Sequence, residues 1–148
     1  KKIDDDAPRL SFIRDHVEVE ILGDVPSEIE LPIHPNHSDK GTRTISLNPP
    51  NVFIESEDAR GSYRLKEFAD IDEDGNIESV ERSDKRPIIH WTSTTTSEPS
   101  TLLIPNQKEI EYISGRVESN DYSAGTIVQL ERIGYAIVTS EGFLLMHE

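Results

Sequence analysis

The strongest constraint on the fold is the period of the apolar residues, which is two. In "HVEVEI" Val17, Val19 and Ile21 share one face, and Glu18 and Glu20 share the other. "EIELPI", "RTISL" and "TIVQLERIGYAIV" alternate in the same way, and "VFI" is a short apolar run. Side chains of a strand point alternately to opposite faces, so this pattern describes half-exposed antiparallel sheet. The segments are separated by "GDVPSE", "HPNHSDKG", "NPPN", "TSTTTSEPS" and "SNDYSAG", clusters of the residues that make turns. A helical stripe is sustained nowhere. "ESEDAR" suits one short turn, with Ser56 as its cap and Glu57 and Asp58 near its positive end. The fold class is all-β.

One motif argues otherwise. "DIDEDGNIESVE" (Asp70 to Glu81) fills every fixed position of a calcium-binding EF-hand loop, from Asp70, Asp72 and Asp74 through Gly75 to Glu81. Such a loop needs a helix on each side. Downstream, Pro87 lacks an amide hydrogen and biases Arg86 away from helical geometry, while Ile88 and Ile89 favour a strand. The expected structure is a hairpin: "YRLKEFADI" runs out, "DEDGN" turns and "IESVE" runs back.

Other chemistry is thinly represented. With no cysteine in 148 residues, disulfides, thiolate metal sites and thiol catalysis are excluded, and a cytoplasmic location is the default. No apolar run is long enough for a transmembrane helix, and "KKIDDDAPRL" lacks the apolar core of a signal peptide. His34 and His37 lie in a proline-containing loop near Asp39, but no further ligands converge on them, so no metal is assigned. Neither a nucleophile elbow nor a phosphate-binding glycine loop is present. His90 and Trp91 end an apolar strand and are read as structural, a satisfied imidazole and a packed indole.

Four blocks in order carry a resemblance: "APRL" (Ala7 to Leu10), "LPIHPNHSDKGTR" (Leu31 to Arg43), "IIHW" (Ile88 to Trp91) and "VQLERIGYAIVTS" (Val128 to Ser140). Together they resemble the C-terminal anticodon-binding region of class I glutamyl- and glutaminyl-tRNA synthetases. The resemblance implies two small antiparallel β-barrels, of a type also seen in a ribosomal-protein family. It further implies a piece of a larger glutamate–tRNA ligase of archaeal or eukaryotic type. The H-I-G-H-like and K-M-S-K-S-like motifs of the catalytic domain do not occur here. The fragment would therefore carry no catalytic residue and no cofactor, while the parent would use ATP and Mg2+. Alternatives are a glutaminyl enzyme and an acidic β-domain that docks proteins.

By matching motif position, the resemblance assigns anticodon contacts to Arg9, Gln129 and Arg132, with Arg64 and Lys66 behind them. The bases include the central U shared by Glu and Gln tRNAs. Arg and Gln suit base reading because they present fixed donors, or a donor beside an acceptor. Expected partners are tRNA(Glu), with tRNA(Gln) as the alternative, and neither DNA nor membrane; the expected state is a monomer. One barrel is expected from 7–56 with 112–148, and the other from 57–111 inserted between. Tyr135 is expected to pack inside a barrel, and Gly41 and Arg43 to brace their loop.

The charge speaks against RNA: 15 Lys and Arg against 29 Asp and Glu give −14. The acids are unevenly spread, however, and screening limits distant charges to about 8–10 Å. "RSDKRPIIH" gathers Arg82, Lys85, Arg86 and His90, the expected locally positive groove.

Overall fold

The computed structural model of the protein describes residues 6–146. Its regular structure there is strand, apart from two 3-10 turns, Ser38–Lys40 and Ser56–Asp58. The strands of the first half are β1 (Arg9–Leu10), β2 (Phe12–Arg14), β3 (His16–Glu20), β4 (Glu28–Pro32), β5 (Thr42–Ser46) and β6 (Asn51–Glu55). Next come β7 (Tyr63–Leu65), β8 (Ala69–Ile71), β9 (Ile77–Ser79), β10 (Ile88–Ile89) and β11 (Thr92–Ser93). The last are β12 (Ser97–Pro105), β13 (Ile110–Glu118), β14 (Ile127–Leu130), β15 (Gly134–Thr139) and β16 (Gly142–Leu145).

The largest sheet has the order β1-β14-β15-β16-β12-β13-β2. Its two edge strands, β1 and β2, are consecutive in the chain and separated only by Ser11. A chain can pass from one edge to the other in a single residue only if the sheet curls until its edges meet. The backbone shows this closure. Gln129 and Glu131 donate to the carbonyls of Pro8 and Leu10 on one side, at 2.8 and 2.9 Å, and Glu118 donates to Ser11 on the other, at 2.9 Å. The result is a nearly closed barrel with its pairing groups used internally. Its interior holds Leu10, Phe12, Leu102, Val128, Leu130 and Phe143 among others, with the rings of Phe12 and Phe143 edge to face at 6.2 Å. Gly115 is required where β13 passes β2, since a Cβ there would strike the Ile13 carbonyl and the Phe12 ring.

Residues 16–93 form three smaller sheets, β11-β6-β3, β4-β5 and β10-β7-β8-β9. They enclose a second core that includes Ile45, Val52, Ile54, Leu65, Ile71 and Trp91. Strands of 97–118 therefore lie with the chain ends, while 16–55 contribute to the second core; positions 147 and 148 fall outside the described residues.

Local details differ from expectation in two places. The arm "YRLKEFADI" is not one strand but two, because the chain turns at Lys66–Phe68, where Phe68 donates to Leu65 at 2.9 Å. The "DEDGN" turn forms as expected, with Gly75 at φ 94° and Asp72 accepting the amides of Asp74 and Asn76. Ser56 begins a single turn but does not cap it; its hydroxyl donates to Asp15.

Candidate nucleic-acid interface

Three strands of the barrel set up the site. Parallel β1 and β14 place Arg9 opposite Gln129, and antiparallel β15 places Tyr135 opposite Gln129. Leu10, Val128, Leu130 and Ala136 point into the barrel. Alternation then forces Arg9, Gln129 and Tyr135 into one row on the outer face. Arg9 Nε and Gln129 Oε1 are both shielded from solvent and have no hydrogen-bond partner. A donor and an acceptor thus sit in register, each desolvated and unsatisfied. Such groups normally cost about 1–3 kcal/mol apiece, so each calls for a physical explanation. Tyr135 was expected inside the barrel; the same alternation puts it outside, because its neighbours Ala136 and Val138 take the interior positions.

The row borders a cleft where the barrel face meets the second core. Its polar lining includes Arg9, Arg43, Lys66, Glu67, His90 and Glu131, and Trp91, Leu31, Pro32 and Pro35 supply apolar walls. The cleft offers about 30 Å³, more than the roughly 10–15 Å³ that a single water needs. Trp91 forms part of its wall, 3% exposed, with its ring 5.4 Å from that of Phe68 and its Nε1–H donating to the Lys66 carbonyl at 2.9 Å. The indole is therefore packed and satisfied, as read from the sequence.

His90, 1% exposed, ties the cleft to a buried polar cluster. Its Nδ1 lies 3.1 Å from the Glu131 carbonyl, which can only accept, so Nδ1 carries a proton. Its Nε2 lies 3.1 Å from Glu55 Oε2. The same carboxylate accepts from Arg14 Nε at 3.0 Å and from the Arg14 amide at 3.2 Å. Burial pushes the Glu55 carboxyl up, but His90 and Arg14 together outweigh it and hold the group at about 2. Asp58 completes the cluster, and ligand-type atoms of Glu55, Asp58 and His90 lie within 4.8 Å of one another. That crowding resembles a metal site. Both Asp58 oxygens, however, are taken by Arg132, at 2.8 and 3.3 Å, and Glu55 is taken by Arg14. The carboxylate charge is already balanced, and a divalent cation would have to evict two guanidinium groups.

Two tight turns face each other across the cleft. Lys66–Phe68 joins β7 to β8, and Glu131–Ile133 joins β14 to β15. At the centre of each is a non-glycine residue in the left-handed region, Glu67 at φ 64° and Arg132 at φ 65°. Such strain costs on the order of 1–3 kcal/mol per residue and gathers at functional sites. Lys66 Nζ spans the turns to Glu131 Oε1 at 2.7 Å.

Of the residues assigned from the sequence, Arg9, Gln129 and Lys66 come together at the row and cleft. Arg132 adjoins them but is held by Asp58. Arg64 does not join them. It donates to Asp70 at 3.0 Å and to the Val80 carbonyl at 3.1 Å, on the hairpin side of the second core. The positive groove expected at 82–90 does not form. Arg86 is bound by Asp84 and Glu78, both at 2.8 Å, Arg82 Nε donates to the Asp84 carbonyl, and His90 is buried. Arg43 does more than brace its loop. It lines the cleft and pairs with buried Glu118, a carboxyl raised by burial against the pull of Arg43. Tyr135, Glu131 and Asp58 were not singled out as site residues. Tyr135 could have been found from its register with Gln129 about the intervening turn.

An outer barrel face that aligns a guanidinium, an amide and a phenol carries the side-chain types that read unstacked bases. Comparison with known proteins agrees. Residues 7–90 match the family described as tRNA synthetases class I (E and Q), anti-codon binding domain, and residues 88–139 match a second family of the same description. The first match covers more than half of the 148 residues, and the chain belongs to this family. Among similar proteins, the glutamate–tRNA ligase of Natronomonas pharaonis is 32% identical over 145 residues, 90% of this chain and 24% of that protein. That of Methanocorpusculum labreanum is 32% identical over 143 residues, 90% of this chain and 25% of the protein. That of Pyrococcus abyssi is 28% identical over 153 residues, 91% and 26%. The chain thus spans about a quarter of the length of these relatives.

Proposed function

We propose that this chain reads the anticodon loop of tRNA(Glu) on behalf of a glutamate–tRNA ligase, with tRNA(Gln) as a second substrate class. The parent would join glutamate to the tRNA with ATP and Mg2+ on a domain outside this chain, in the cytoplasm and as a monomer. We also propose that its two units divide along the two cores, the barrel from the chain ends with 97–118 and the second unit from 16–93.

The observation that carries the reading is the row Arg9–Gln129–Tyr135. Arg9 Nε can donate to a base carbonyl, Gln129 Oε1 can accept from a base N–H, and both lack any other partner. Uracil offers that complement on its Watson–Crick edge, O beside N–H, and the phenol beside Gln129 gives its ring a surface to stack on. The net charge of −14 does not oppose this. Arg9 makes no ion pair among the described residues, and the acids of β3 and β4 lie on other sheets, screened over about 8–10 Å.

An isotope-labelled sample titrated with a glutamate-type anticodon stem-loop tests the reading. Amide shifts should centre on Arg9, Gln129 and Tyr135. Arg9→Ala and Gln129→Ala should each weaken binding about tenfold without disturbing the remaining spectrum. Shifts confined to the acidic face of β3, or equal affinity for a stem-loop with its central anticodon base changed, would count against it.

A further inference from the structure

We propose that His90 and Trp91 are positioning residues for anticodon reading: their ring N–H groups hold the central peptides of the two facing turns, so that the amides of Glu67 and Arg132 point outward to the RNA backbone. The idea rests on the anticodon-reading function above. The two turns are built alike. Phe68 donates to the Leu65 carbonyl at 2.9 Å, and Ile133 to the Leu130 carbonyl at 3.0 Å. In each, the third of the four residues has positive φ and the second does not, which is the signature of a type II turn. Glycine is the usual occupant of that third place; here it is held by Glu67 and Arg132.

A type I turn would relieve both residues, and it differs in the orientation of the central peptide. That peptide carries the carbonyl of Lys66 in one turn and of Glu131 in the other. Trp91 Nε1–H donates to the first at 2.9 Å, and His90 Nδ1–H to the second at 3.1 Å. Two consecutive residues thus fix the same peptide in both turns. The rings are buried and already engaged, Trp91 against Phe68 and His90 Nε2 against Glu55. A flipped peptide would leave a buried N–H without a partner, which opposes the flip. Holding the carbonyl also aims the amide, because the C=O of a trans peptide and the N–H that follows it point in opposite directions. The carbonyls point at buried rings, so the Glu67 and Arg132 amides point away from them. Neither amide donates to another main-chain group among the described residues. Main-chain N–H groups bind phosphate oxygens in many complexes, and such contacts fix register without carrying sequence information. Arg132 follows Gln129 by three residues, at most about 10 Å along the chain, so a nucleotide whose base lies on the row passes its backbone beside this turn. The row reads the base, and the turns seat its backbone.

The test uses the 148-residue chain and two hairpins, a glutamate-type anticodon stem-loop and the same RNA with its central anticodon base changed. In the unsubstituted protein at saturation, the Glu67 and Arg132 amide resonances should move with both hairpins, and the Arg9 and Gln129 side-chain resonances with the first alone. Trp91→Phe keeps an apolar ring but has no N–H. It should weaken both hairpins by the same factor, about two- to tenfold, and shift the Glu67 α-carbon resonance away from its left-handed value. Adding Glu67→Gly should recover most of that loss, because glycine holds positive φ unaided. The recovery should exceed any gain from Glu67→Gly alone, a coupling that a packing role for Trp91 does not produce. At the other turn His90→Leu should weaken both hairpins, and His90→Asn, whose side-chain N–H can stand where Nδ1–H stands, should weaken them less. A recovery no larger than the gain from Glu67→Gly alone, or equal losses in the two His90 variants, overturns the proposal. It is also overturned if the Glu67 and Arg132 amides stay in place while Arg9 and Gln129 respond, an outcome that leaves anticodon reading intact. Failure of the unsubstituted protein to bind either hairpin overturns anticodon reading itself. Should the variants unfold, the amide resonances of the unsubstituted protein still decide.

Discussion

The hairpins of 63–89 and the outer row of the barrel use the same residue types to opposite ends. In the hairpins the buried carboxylate and the guanidinium groups of Arg64 and Arg86 are matched. Asp70 receives Arg64 at 3.0 Å and the amide and hydroxyl of Ser83 at 2.9 and 2.6 Å. Arg86 is shared between Asp84 and Glu78 and also donates to the Ile71 carbonyl. On the barrel, Arg9 and Gln129 hold polar atoms away from water with nothing bonded to them. A saturated arginine is part of the fold, because its partner would otherwise be a buried bare charge. An unsaturated one is available to a ligand. Motif position ranks Arg64 behind Arg9, and their surroundings give that order a physical reason.

The largest effect that would sharpen this contrast is on Asp70, which is fully buried. Burial pushes its carboxyl up, but Ser83 and Arg64 together bring it below its ordinary value. Asp70→Ala leaves the Arg64 guanidinium unpaired in a part-buried site and should cost about 3–5 kcal/mol in denaturant unfolding. Its RNA affinity, measured below the transition, should be unchanged. A loss of affinity as large as that of Arg9→Ala would break the division between the two regions.

A second, smaller effect concerns acid stability. The Glu55 carboxyl is lowered from 4.5 to about 2 in the folded protein. A group depressed on folding stabilises fully above its unfolded value and ceases to do so as pH falls through its folded value. The contribution is therefore present above about pH 4.5 and lost towards pH 2, on the order of 2 kcal/mol. Melting temperatures across that range should fall, and the fall should be shallower in Glu55→Gln. Parallel curves for the two proteins would mean that His90 and Arg14 do not hold the carboxylate.

Period-two alternation was enough to show the all-β class, and it also held the outer row. Val128, Leu130, Ala136 and Val138 occupy one face, so Gln129 and Tyr135 had to share the other. Tyr135 departs from the expectation that an aromatic ring belongs to the core, because its register with Gln129 sets it on the outer face. What the sequence could not show are contacts between distant segments. Arg132 meets Asp58 74 positions away, and Arg43 meets Glu118 75 positions away. No local period carries such pairings. The extra turn at Lys66–Phe68 was hidden for a different reason. Its left-handed position holds Glu67, where a glycine would have announced the turn.

The finest test of the contrast is a substitution that should do almost nothing to the fold. Gln129 Oε1 is buried and accepts no hydrogen bond, so folding removes it from water without compensation. Gln129→Ala deletes that unsatisfied acceptor together with a side chain on the outer face, while Val128 and Leu130 keep the core packed. The lost contacts and the relieved desolvation oppose each other, and stability should stay within about 0.5 kcal/mol. Urea unfolding resolves such a change when the slope is constant. Asp70→Ala and Gln129→Ala should then form mirror images, the first costing stability and sparing RNA binding, the second sparing stability and costing RNA binding. A loss above about 1.5 kcal/mol for Gln129→Ala would show that its amide is bonded within the folded chain. The row would then be as saturated as the hairpins, and no base would find an open acceptor there.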